Sequence, residues 1–530
     1  MFGPPEISSP VVLSLLGKPI PPDWPGGYWG HWGFWTIILL AFDLLMVMAF
    51  IWLERRWIAR VQIRLGPNRA GPWGLLQPIA DAVKILLKED IVPERADKWV
   101  HFIAPLVAFS VTAFIFVVIP FQEGAGLVPD LNVGLLYVLA IGVLSLIGVF
   151  MAGWGSANKF SLVAAMRAVA QIISYEIPLM LALVAVVMVT SSLSLQEIVR
   201  QQHVPFAVLL PLSFLIFFIG SLTEVQRTPM DLLEAESELV TGYHIEYSGM
   251  KFALFYLAEY TEALLVSVLT AVLFLSGWKG PLLPPFLWFL IKVVLVFMVI
   301  VWIRGTFPRL RIDQLMAFSW KFLLPLSILN LFIIGAELIL LPSFPGWLAL
   351  VNLIIAGGLI YLFSRPFKLG FGLGLGKGLA LTIRHVLRNP ITVQYPEQRL
   401  SVSRRWRGQE FIWSEEKCTG CTACARACPH GVIKIEVSGK GKERVVEKFQ
   451  VDLGRCIFCG LCVEACPTQA IALGLGYEGS CTRLPELVLE KEELAAPGRM
   501  PSAYARPEFE KGLPEQTLLI YQKEHPWESR

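Results

Sequence analysis

Long apolar runs, each close to the length of a bilayer crossing, fill the first two thirds of this 530-residue chain. A helix needs about 20 apolar residues to cross a bilayer, and its backbone polar groups must bond within the membrane segment. The sequence therefore predicts an all-α polytopic membrane bundle of about nine transmembrane helices. The predicted spans are 35–53, 102–121, 133–154, 177–190, 204–222, 252–275, 281–301, 322–341 and 344–363.

The composition changes sharply where these runs end. Hydrophobic residues make up 55% of the chain and charged residues only 16%, which is typical of a membrane protein. The apolar runs stop near residue 363, whereas all nine cysteines follow that point. The expected divisions are a membrane domain at 1–363, a Gly-rich and amphipathic linker at 364–410, a cysteine-rich domain at 411–500 and a tail at 501–530.

Basic residues alternate between successive loops. Loop 54–98 is rich in Arg and Lys, loop 122–132 contains neither, and the alternation continues along the chain. Because Lys and Arg resist translocation, this pattern predicts an inner (cytoplasmic) membrane protein with its N-terminus outside and its cysteine-rich domain in the cytoplasm. The net charge of +3 is too small to indicate a nucleic-acid partner. The N-terminal segment lacks the basic start of a signal peptide and is expected to be retained.

The pattern C-x-x-C-x-x-C-x-x-x-C-P occurs twice, at 418–429 and 456–467. In bacterial ferredoxins, three cysteines of such a run bind one [4Fe-4S] cluster and the fourth binds the other cluster. The first predicted cluster is bound by Cys418, Cys421, Cys424 and Cys466. The second is bound by Cys428, Cys456, Cys459 and Cys462. With short strands at 432–436 and 445–451, the pattern predicts an α+β ferredoxin-like domain with two [4Fe-4S] clusters.

Other uses of the cysteines fit the spacing less well. Structural zinc uses paired C-x-x-C motifs and does not need the third cysteine of each run. Cys481 lies outside both runs and is expected to be a small buried apolar side chain and not a ligand. Pro429 and Pro467 are each expected to end a cysteine loop and start a helix.

Acidic residues are concentrated beside and inside the predicted membrane spans, where a charged side chain costs most free energy. The acidic residues of the segment after the fifth predicted span are Glu224, Asp231, Glu234, Glu236, Glu238 and Glu246. If a helix starts at Leu232, three of them share one face, and the alternative is an ordinary solvated surface. Further ionisable residues lie inside apolar runs, which usually marks a pathway or a site. They are Glu176, Glu259, Glu262 and Glu337, together with Asp43 and Lys292, to which no partner is assigned.

Two further segments have a helical apolar period. In the first basic loop, Leu75, Ile79, Val83, Leu86 and Leu87 recur on one side, which predicts a helix lying along the membrane surface. An amphipathic helix that merely covers the protein is the alternative. In the linker, the apolar residues of 379–387 form a face that is expected to dock on the membrane domain or on a neighbour.

Long blocks of the sequence resemble two subunits of one respiratory enzyme. ERRWIARVQIRLGPNRAGPWGLLQPIADAVKILLKED at 54–90 and EAESELVTGYHIEYSGMKFALFYLAEY at 234–260 resemble the quinone-chamber membrane subunit of respiratory complex I, NuoH. From about residue 377 to the mid 490s, TIRHVLRNPITVQYPEQRL and the double cysteine run resemble its two-cluster ferredoxin subunit, NuoI. The chain thus resembles a natural fusion of the two.

The resemblance implies a subunit of a proton-translocating NADH-quinone oxidoreductase that is not active alone. Its two [4Fe-4S] clusters would pass electrons toward quinone, the substrate, and its partners would be the other complex I subunits, quinone and membrane lipid. The residues implied in the quinone chamber and in proton coupling are Glu54, Arg55, Arg64, Glu176, Glu224, Arg227, Asp231, Glu234, Glu236, Glu238 and Glu246.

Two other functions are compatible with parts of the sequence. One is a membrane and ferredoxin subunit of an energy-converting hydrogenase-like complex, or of a complex that takes electrons from ferredoxin or a deazaflavin. The other is an anchor that ties a ferredoxin to the membrane, although an inert anchor has no need of repeated carboxylates within its spans.

Overall fold

The structure is a computed structural model that describes residues 27–123, 130–340, 348–364, 373–395, 397–399, 402–439, 444–496, 498–512 and 520–521. Contacts divide the chain into two compact units, Met1–Ile391 and Thr392–Arg530. The predicted N-terminal segment and the Gly-rich start of the linker lie largely outside the described residues. The finer division into linker, cysteine-rich domain and tail stays a prediction.

The described part of the first unit consists of helices and the loops that join them. Its α-helices, in chain order, are α1 (Gly27–Val61), α2 (Gln77–Leu86), α3 (Lys98–Ile115), α4 (Gly134–Gly155), α5 (Lys159–Thr190), α6 (Leu195–Gln201), α7 (Phe206–Leu209), α8 (Pro211–Glu224), α9 (Glu236–Leu239), α10 (Gly249–Phe274), α11 (Pro285–Thr306), α12 (Ile312–Phe318), α13 (Leu324–Leu340), α14 (Leu348–Ser364) and α15 (Leu373–Val386). A π-helical turn, Ser319–Leu323, joins α12 to α13. The predicted all-α membrane bundle is confirmed.

Seven helical stretches of the described chain are long and apolar enough to span a membrane. They are Thr36–Val61, Lys98–Val118, Gly134–Gly155, Lys159–Thr190, Gly249–Phe274, Pro285–Thr306 and Ile312–Leu340. The fifth and ninth predicted spans coincide with shorter apolar helices, Pro211–Glu224 and Leu348–Leu359. The fifth is short because Pro205 and Pro211 interrupt the apolar run and leave α7 as a separate turn.

Helix α10 lies at the centre of the first unit. About 78% of its apolar window is buried within the protein, against at most 44% for the other long helices. It packs on α3, α11 and α1. Because α10 carries Glu259 and Glu262, those two carboxylates are placed in the interior of the bundle and not at a lipid-facing surface.

Small residues allow the closest helix pair, α3 and α4, to approach. A Cβ atom built on Gly148 of α4 would come within 2.8 Å of the Ala108 backbone nitrogen of α3. Such contacts are under the ordinary van der Waals limit, so only glycine fits at this crossing. Close backbone approach through small residues is a common source of helix association in membranes.

The two amphipathic segments form helices at the predicted places. The apolar residues predicted for the first, from Leu75 to Leu87, are exposed, as expected for the membrane-facing side of a surface helix. Of the face predicted for the linker, Leu379 and Val386 are half-buried, whereas Ile383 and Leu387 are exposed. Thr382 accepts a hydrogen bond from Trp302 Nε1 of α11 at 3.0 Å. His385 Nδ1 lies 3.2 Å from the carbonyl oxygen of Val61 at the end of α1.

The second unit is a small α+β fold, in agreement with the predicted ferredoxin-like class. Its strands are β1 (Gln398–Arg399), β2 (Phe411–Trp413), β3 (Ile433–Ser438), β4 (Val445–Asp452), β5 (Ile471–Leu473), β6 (Val488–Leu489) and β7 (Ile520–Tyr521). Its α-helices are α16 (Ala423–Ala427), α17 (Leu461–Glu464) and α18 (Lys491–Leu494). All strand pairs are antiparallel, in the orders β1-β7, β2-β5 and β3-β4-β6.

Two expectations for the second unit are wrong. The short helices α16 and α17 precede Pro429 and Pro467 and do not follow them; after each proline the chain makes a turn and enters β3 or β5. Cys481 is exposed, and its thiol donates to the Arg483 carbonyl oxygen at 3.2 Å. The apolar core is filled instead by residues of the strands, among them Trp413 and Phe449 with stacked rings 5.0 Å apart.

We expect Gly148→Leu to destabilise the first unit by about 1–3 kcal/mol, the usual cost of overpacking. The added side chain must push α3 away from α4. The measurement is the thermal midpoint of the purified full chain in detergent. Gly357→Ala is the control, because a Cβ atom at Gly357 meets nothing within 4 Å. Equal midpoints for the two variants would contradict the close α3–α4 contact.

Candidate functional site

A buried arginine joins three helices of the first unit. Arg227 follows α8 and is only 5% exposed. One of its nitrogens lies 3.2 Å from Glu259 Oε1 of α10 and 3.6 Å from Glu54 Oε1 of α1. Arg304 of α11 also donates to Glu54. Two carboxylates therefore meet two guanidinium groups, and each charge has a partner, as charges in a low-dielectric interior require.

Ion pairs and aromatic contact hold Arg227 in place. Its guanidinium lies 4.4 Å from the ring centre of Tyr260, a cation–π distance. Burial alone lowers the pKa of Arg227, but Glu259 and Glu54 outweigh burial and raise that pKa well above its usual value. Arg227 is therefore a fixed positive charge at every accessible pH.

The segment between α8 and α10, residues 225–248, is tied to its surroundings by backbone contacts. Buried Gln171 of α5 donates to the carbonyl oxygens of Thr223 and Met230 at 3.0 and 2.9 Å. Ser161 of α5 donates to the Tyr243 carbonyl oxygen at 2.6 Å. Because side chains of α5 satisfy these carbonyls, an irregular segment rich in charge keeps one conformation.

The acidic residues of this segment do not share a helix face, contrary to the prediction. The segment contains a short α-helix, Glu236–Leu239, and a 3-10 turn, Gly242–His244, and four of its acidic side chains contact different partners. Asp231 accepts from Arg309 at 2.7 Å, and Glu238 is paired with Arg167 of α5. The predicted helix fails because the chain before Glu236 is needed for these separate contacts. The side chain of Glu236 lies outside the described residues.

Apart from the ion pairs of Arg227, the side chains of Glu234 and His244 form a contact in which burial favours the uncharged form of each. Their nearest nitrogen and oxygen atoms are 3.8 Å apart. Burial raises the pKa of Glu234, and the nearby Asp231 raises it further. Burial lowers the pKa of His244, so the imidazole stays neutral to lower pH than a free histidine. A carboxyl that holds its proton more tightly beside a neutral imidazole is an arrangement suited to proton exchange.

The other predicted residues of the first unit are more scattered. Arg55 of α1 donates to Asp81 of α2 at 2.5 Å, which fixes the surface helix to the bundle. Glu246 accepts from the Asn158 side chain at 2.7 Å. Arg64 is exposed and donates to its near neighbour Gln62 at 2.7 Å. The structure thus brings Glu54 and Arg227 together directly, and leaves Arg64 at the surface.

Glu176 of α5 and Glu224 of α8 line one cavity. The space free of atoms within it measures about 790 Å³, and its other walls are mainly apolar side chains of α4, α5, α8 and α10. Glu262 of α10 lies within electrostatic range of both Glu224 and Glu259, and its side chain is hydrogen-bonded to Ser145. A series of carboxylates thus extends from this cavity to the ion pairs that Arg227 and Arg304 form with Glu54 and Glu259.

A second cavity of the first unit is almost entirely apolar. It measures about 1540 Å³ of atom-free space and lies between α8, α11, α12 and the start of α15. Met230 and Leu310 are among its walls, and Gln314 contributes an amide side chain. Such a lining suits a hydrocarbon chain.

Several residues of the site do not stand out in the sequence. The sequence shows Glu259 as a carboxylate inside an apolar run, but it does not indicate which cation pairs with it. Arg304, Arg309 and Arg167 look like ordinary basic loop residues, although each binds a predicted carboxylate. The available signal is the excess of acid over base in segment 224–246, since buried carboxylates must find cations elsewhere in the chain.

In the second unit, one set of four predicted cysteine ligands lines a single cavity. Cys428, Cys456, Cys459 and Cys462 all lie in its wall, and the space free of atoms there measures about 350 Å³. Cys428 belongs to the first cysteine run and the other three to the second. This is the exchange between runs that the ferredoxin pattern predicts.

The electrostatic surroundings of Cys424 include a thiol from the other run. Burial raises the pKa of Cys424 to about 11, and the neighbouring thiols of Cys466, Cys418 and Cys421 raise it further. Burial raises the pKa of Cys462 to about 12, and Cys456 adds more to the effect than any other thiol. A buried thiolate needs a bound cation to offset these costs, so Cys424 and Cys462 fit metal ligation.

The thiols do not converge on a single point. Among the described residues, no three Cys, His, Asp or Glu side chains are close enough to share one metal ion.

Comparison with known proteins gives matches to both units. The NADH dehydrogenase family matches residues 34–335, and the 4Fe-4S dicluster domain matches residues 417–470. The NADH-quinone oxidoreductase H subunit of Dehalococcoides mccartyi (strain CBDB1) is 56% identical over 346 residues, 65% of this chain and 98% of that protein. The H 2 subunit of the corresponding enzyme of Syntrophobacter fumaroxidans is 49% identical over 324 residues, 59% of this chain and 97% of that protein.

We expect Arg309→Gln to lower the free energy of unfolding by about 1–3 kcal/mol, because it leaves the buried carboxylate of Asp231 without its cation. Arg311→Gln is the matched control. Arg311 pairs with Asp313 at 3.2 Å, but both side chains are mostly exposed, so its loss should cost no more than about 0.5 kcal/mol. Thermal unfolding of the two purified variants in detergent makes the comparison. A control as unstable as Arg309→Gln would refute the assigned pairing.

Proposed function

The chain belongs to the NADH dehydrogenase family, and on that premise we propose that it is a subunit of a proton-translocating NADH-quinone oxidoreductase, or complex I. The match to this family lies within the membrane unit. The expected resemblance to the quinone-chamber subunit NuoH is confirmed, as is the iron-sulfur character of the C-terminal part. The chain is thus membrane-embedded, and its relatives are named as parts of an oxidoreductase complex.

The observation that carries the proposal is the presence of both kinds of unit in one chain. A membrane subunit of this family is followed by a domain in which Cys428 joins the second cysteine run around one cavity. Fusion fixes the ratio of the two units at one to one. We expect the complete enzyme to need the other complex I subunits, both of the membrane arm and of the peripheral arm.

In the second unit, the proposed role is single-electron transfer toward quinone. Two [4Fe-4S] clusters, when bound, accept and release single electrons. Cys418, Cys421, Cys424 and Cys466 would hold one, and Cys428, Cys456, Cys459 and Cys462 the other. Backbone amides assist the thiolates: the Ala470 N–H donates to Cys466 Sγ at 3.2 Å, and the Phe458 N–H to Cys456 Sγ at 3.4 Å.

In the first unit, the proposed role is to form part of the quinone-binding chamber and to couple quinone chemistry to proton movement. Arg227 and Arg304 pair with Glu54 and Glu259, whereas Glu234 is the carboxyl poised to exchange a proton. A change of charge at Glu234 would act on Asp231 and Arg227, its electrostatic neighbours. The proposed residues are Glu54, Arg55, Arg64, Glu176, Glu224, Arg227, Asp231, Glu234, Glu236, Glu238 and Glu246.

The proposed location is the inner (cytoplasmic) membrane, with the N-terminus outside and the cysteine unit in the cytoplasm. The alternation of basic and neutral loops supports this orientation. A reducing compartment also suits eight thiols that must stay free of disulfides until they bind iron. NADH is proposed as the electron source of the whole enzyme, through subunits other than this chain.

Shared ligation between the cysteine runs is tested by double variants of the purified full chain, loaded with iron and sulfide. Cys428→Ser should remove about half of the bound iron and sulfide, because one of two clusters is lost. Adding Cys459→Ser should remove little more, since Cys459 belongs to the same set. Adding Cys421→Ser should remove most of the remainder. The opposite ranking of the two double variants would mean that each run binds its own cluster.

Proton coupling is tested by Glu234→Gln in the assembled complex. The amide cannot exchange a proton, so proton transfer at this position should slow by about 10²-fold or more, while cluster content stays unchanged. The measurement is the number of protons moved per quinone reduced in proteoliposomes. Glu197→Gln is the control, because that partly exposed carboxylate pairs with Arg200 and lies outside the proposed set. Normal pumping by Glu234→Gln would remove Glu234 from the proposal.

A further inference from the structure

The two cysteine runs differ in what surrounds equivalent positions. Cys421 of the first run corresponds to Cys459 of the second, and Arg426 corresponds to Glu464. In the first run, Arg426 donates to the Cys421 carbonyl oxygen at 3.4 Å. The second run has an acidic side chain at that place and cannot make the same contact.

Residues from outside the runs provide the missing contact. Arg407 lies before the first run, and its Nη1 donates to the Cys459 carbonyl oxygen at 3.0 Å. Tyr504 lies after the second run, and its hydroxyl lies 3.4 Å from the same oxygen. The hydroxyl also lies 2.6 Å from Glu464 Oε1, to which it donates. The guanidinium carbon of Arg407 lies 5.1 Å from the centre of the Tyr504 ring. We call this pair the Arg407–Tyr504 clamp.

The clamp fits closely against Gly460, which lies between two cysteines of the second run. A Cβ atom at Gly460 would come within 2.2 Å of Tyr504 Cε1, and the residue has φ of 82°. The contact requires glycine, and the conformation favours it. The equivalent position of the first run holds Thr422, with φ of 58°. The segment with Tyr504 is itself anchored, because the Ser502 N–H donates to the Leu473 carbonyl oxygen at 2.7 Å.

The clamp controls the direction of one peptide group. The C=O and N–H of a trans peptide point in opposite directions. A Cys459 carbonyl held by Arg407 therefore turns the Gly460 N–H to the other side, and both residues line the cavity shared by Cys428, Cys456 and Cys462. Hydrogen bonds to cluster sulfurs and nearby net charge are two of the factors that set reduction potentials.

We propose that the Arg407–Tyr504 clamp raises the reduction potential of the second cluster by directing the Gly460 N–H toward it and by compensating the charge of Glu464. Donors and positive charge aimed at the site favour the form with one more electron. Arg407 and Tyr504 act through a peptide and through Glu464, so they are positioning residues. This inference rests on the proposed function, since it presumes two clusters.

The test is a redox titration of the intact complex, followed by low-temperature electron paramagnetic resonance. Arg407→Ala should lower the ratio of reduced to oxidised second cluster by up to about tenfold at a fixed potential, equal to about 59 mV for a one-electron couple. Arg407→Lys, which keeps a charged donor, should recover part of the shift. Tyr504→Ala should shift the same signal in the same direction.

Arg405→Ala is the matched control, because Arg405 is an exposed arginine of the same segment. It should leave both potentials unchanged. Thr468→Val identifies the signals, since Thr468 Oγ1 lies 3.8 Å from Cys466 Sγ of the first cluster. Equal shifts from Arg405→Ala and Arg407→Ala, or none from Arg407→Ala, would overturn the inference. Iron and sulfide analysis keeps the outcomes separate: too little iron for two clusters in the purified unaltered chain would instead refute the proposed function.

Discussion

The first unit depends on the pairing of the buried charges around Arg227. Arg227 lies between Glu54 and Glu259, and Arg304 adds a second positive charge to Glu54. Removing Arg227 would leave Glu259 buried without a cation, at a cost of about 3–5 kcal/mol. The same pairing draws α1, α10 and α11 to one point. An electrostatic requirement thus also fixes how three membrane helices pack.

The sequence is sufficient for features that depend on local pattern. Apolar run length predicts the helices, cysteine spacing predicts the ferredoxin class, and the helical period at Leu75 to Leu87 predicts the surface helix. Features that depend on distant contacts could not be predicted. Lys292 lacks a partner in the sequence because its three partners are the carbonyl oxygens of Leu275, Gly277 and Lys279, which any sequence could supply. An ionisable residue within a span can therefore complete a helix end and need not mark a pathway.

The acidic segment illustrates the same limit. A period of three and four residues suggests one helical face for Asp231, Glu234 and Glu238. Tertiary contacts to Arg309, His244 and Arg167 outweigh that local preference, because each buried carboxylate gains more from a dedicated partner than from one more helical turn. The cysteine unit is more predictable, since its ligand spacing is dictated by the bound group and not by distant side chains.

Gln171 has a consequence that extends beyond its own contacts. With two bonds from one amide nitrogen, it closes the chain between Thr223 and Met230 into a short clip. The clip contains Glu224, which faces the cavity of Glu176, and Arg227, which holds Glu54 and Glu259. A displacement of Glu224 and a displacement of Arg227 are therefore movements of one small rigid piece. The two groups of charges are therefore coupled through the backbone as well as through space.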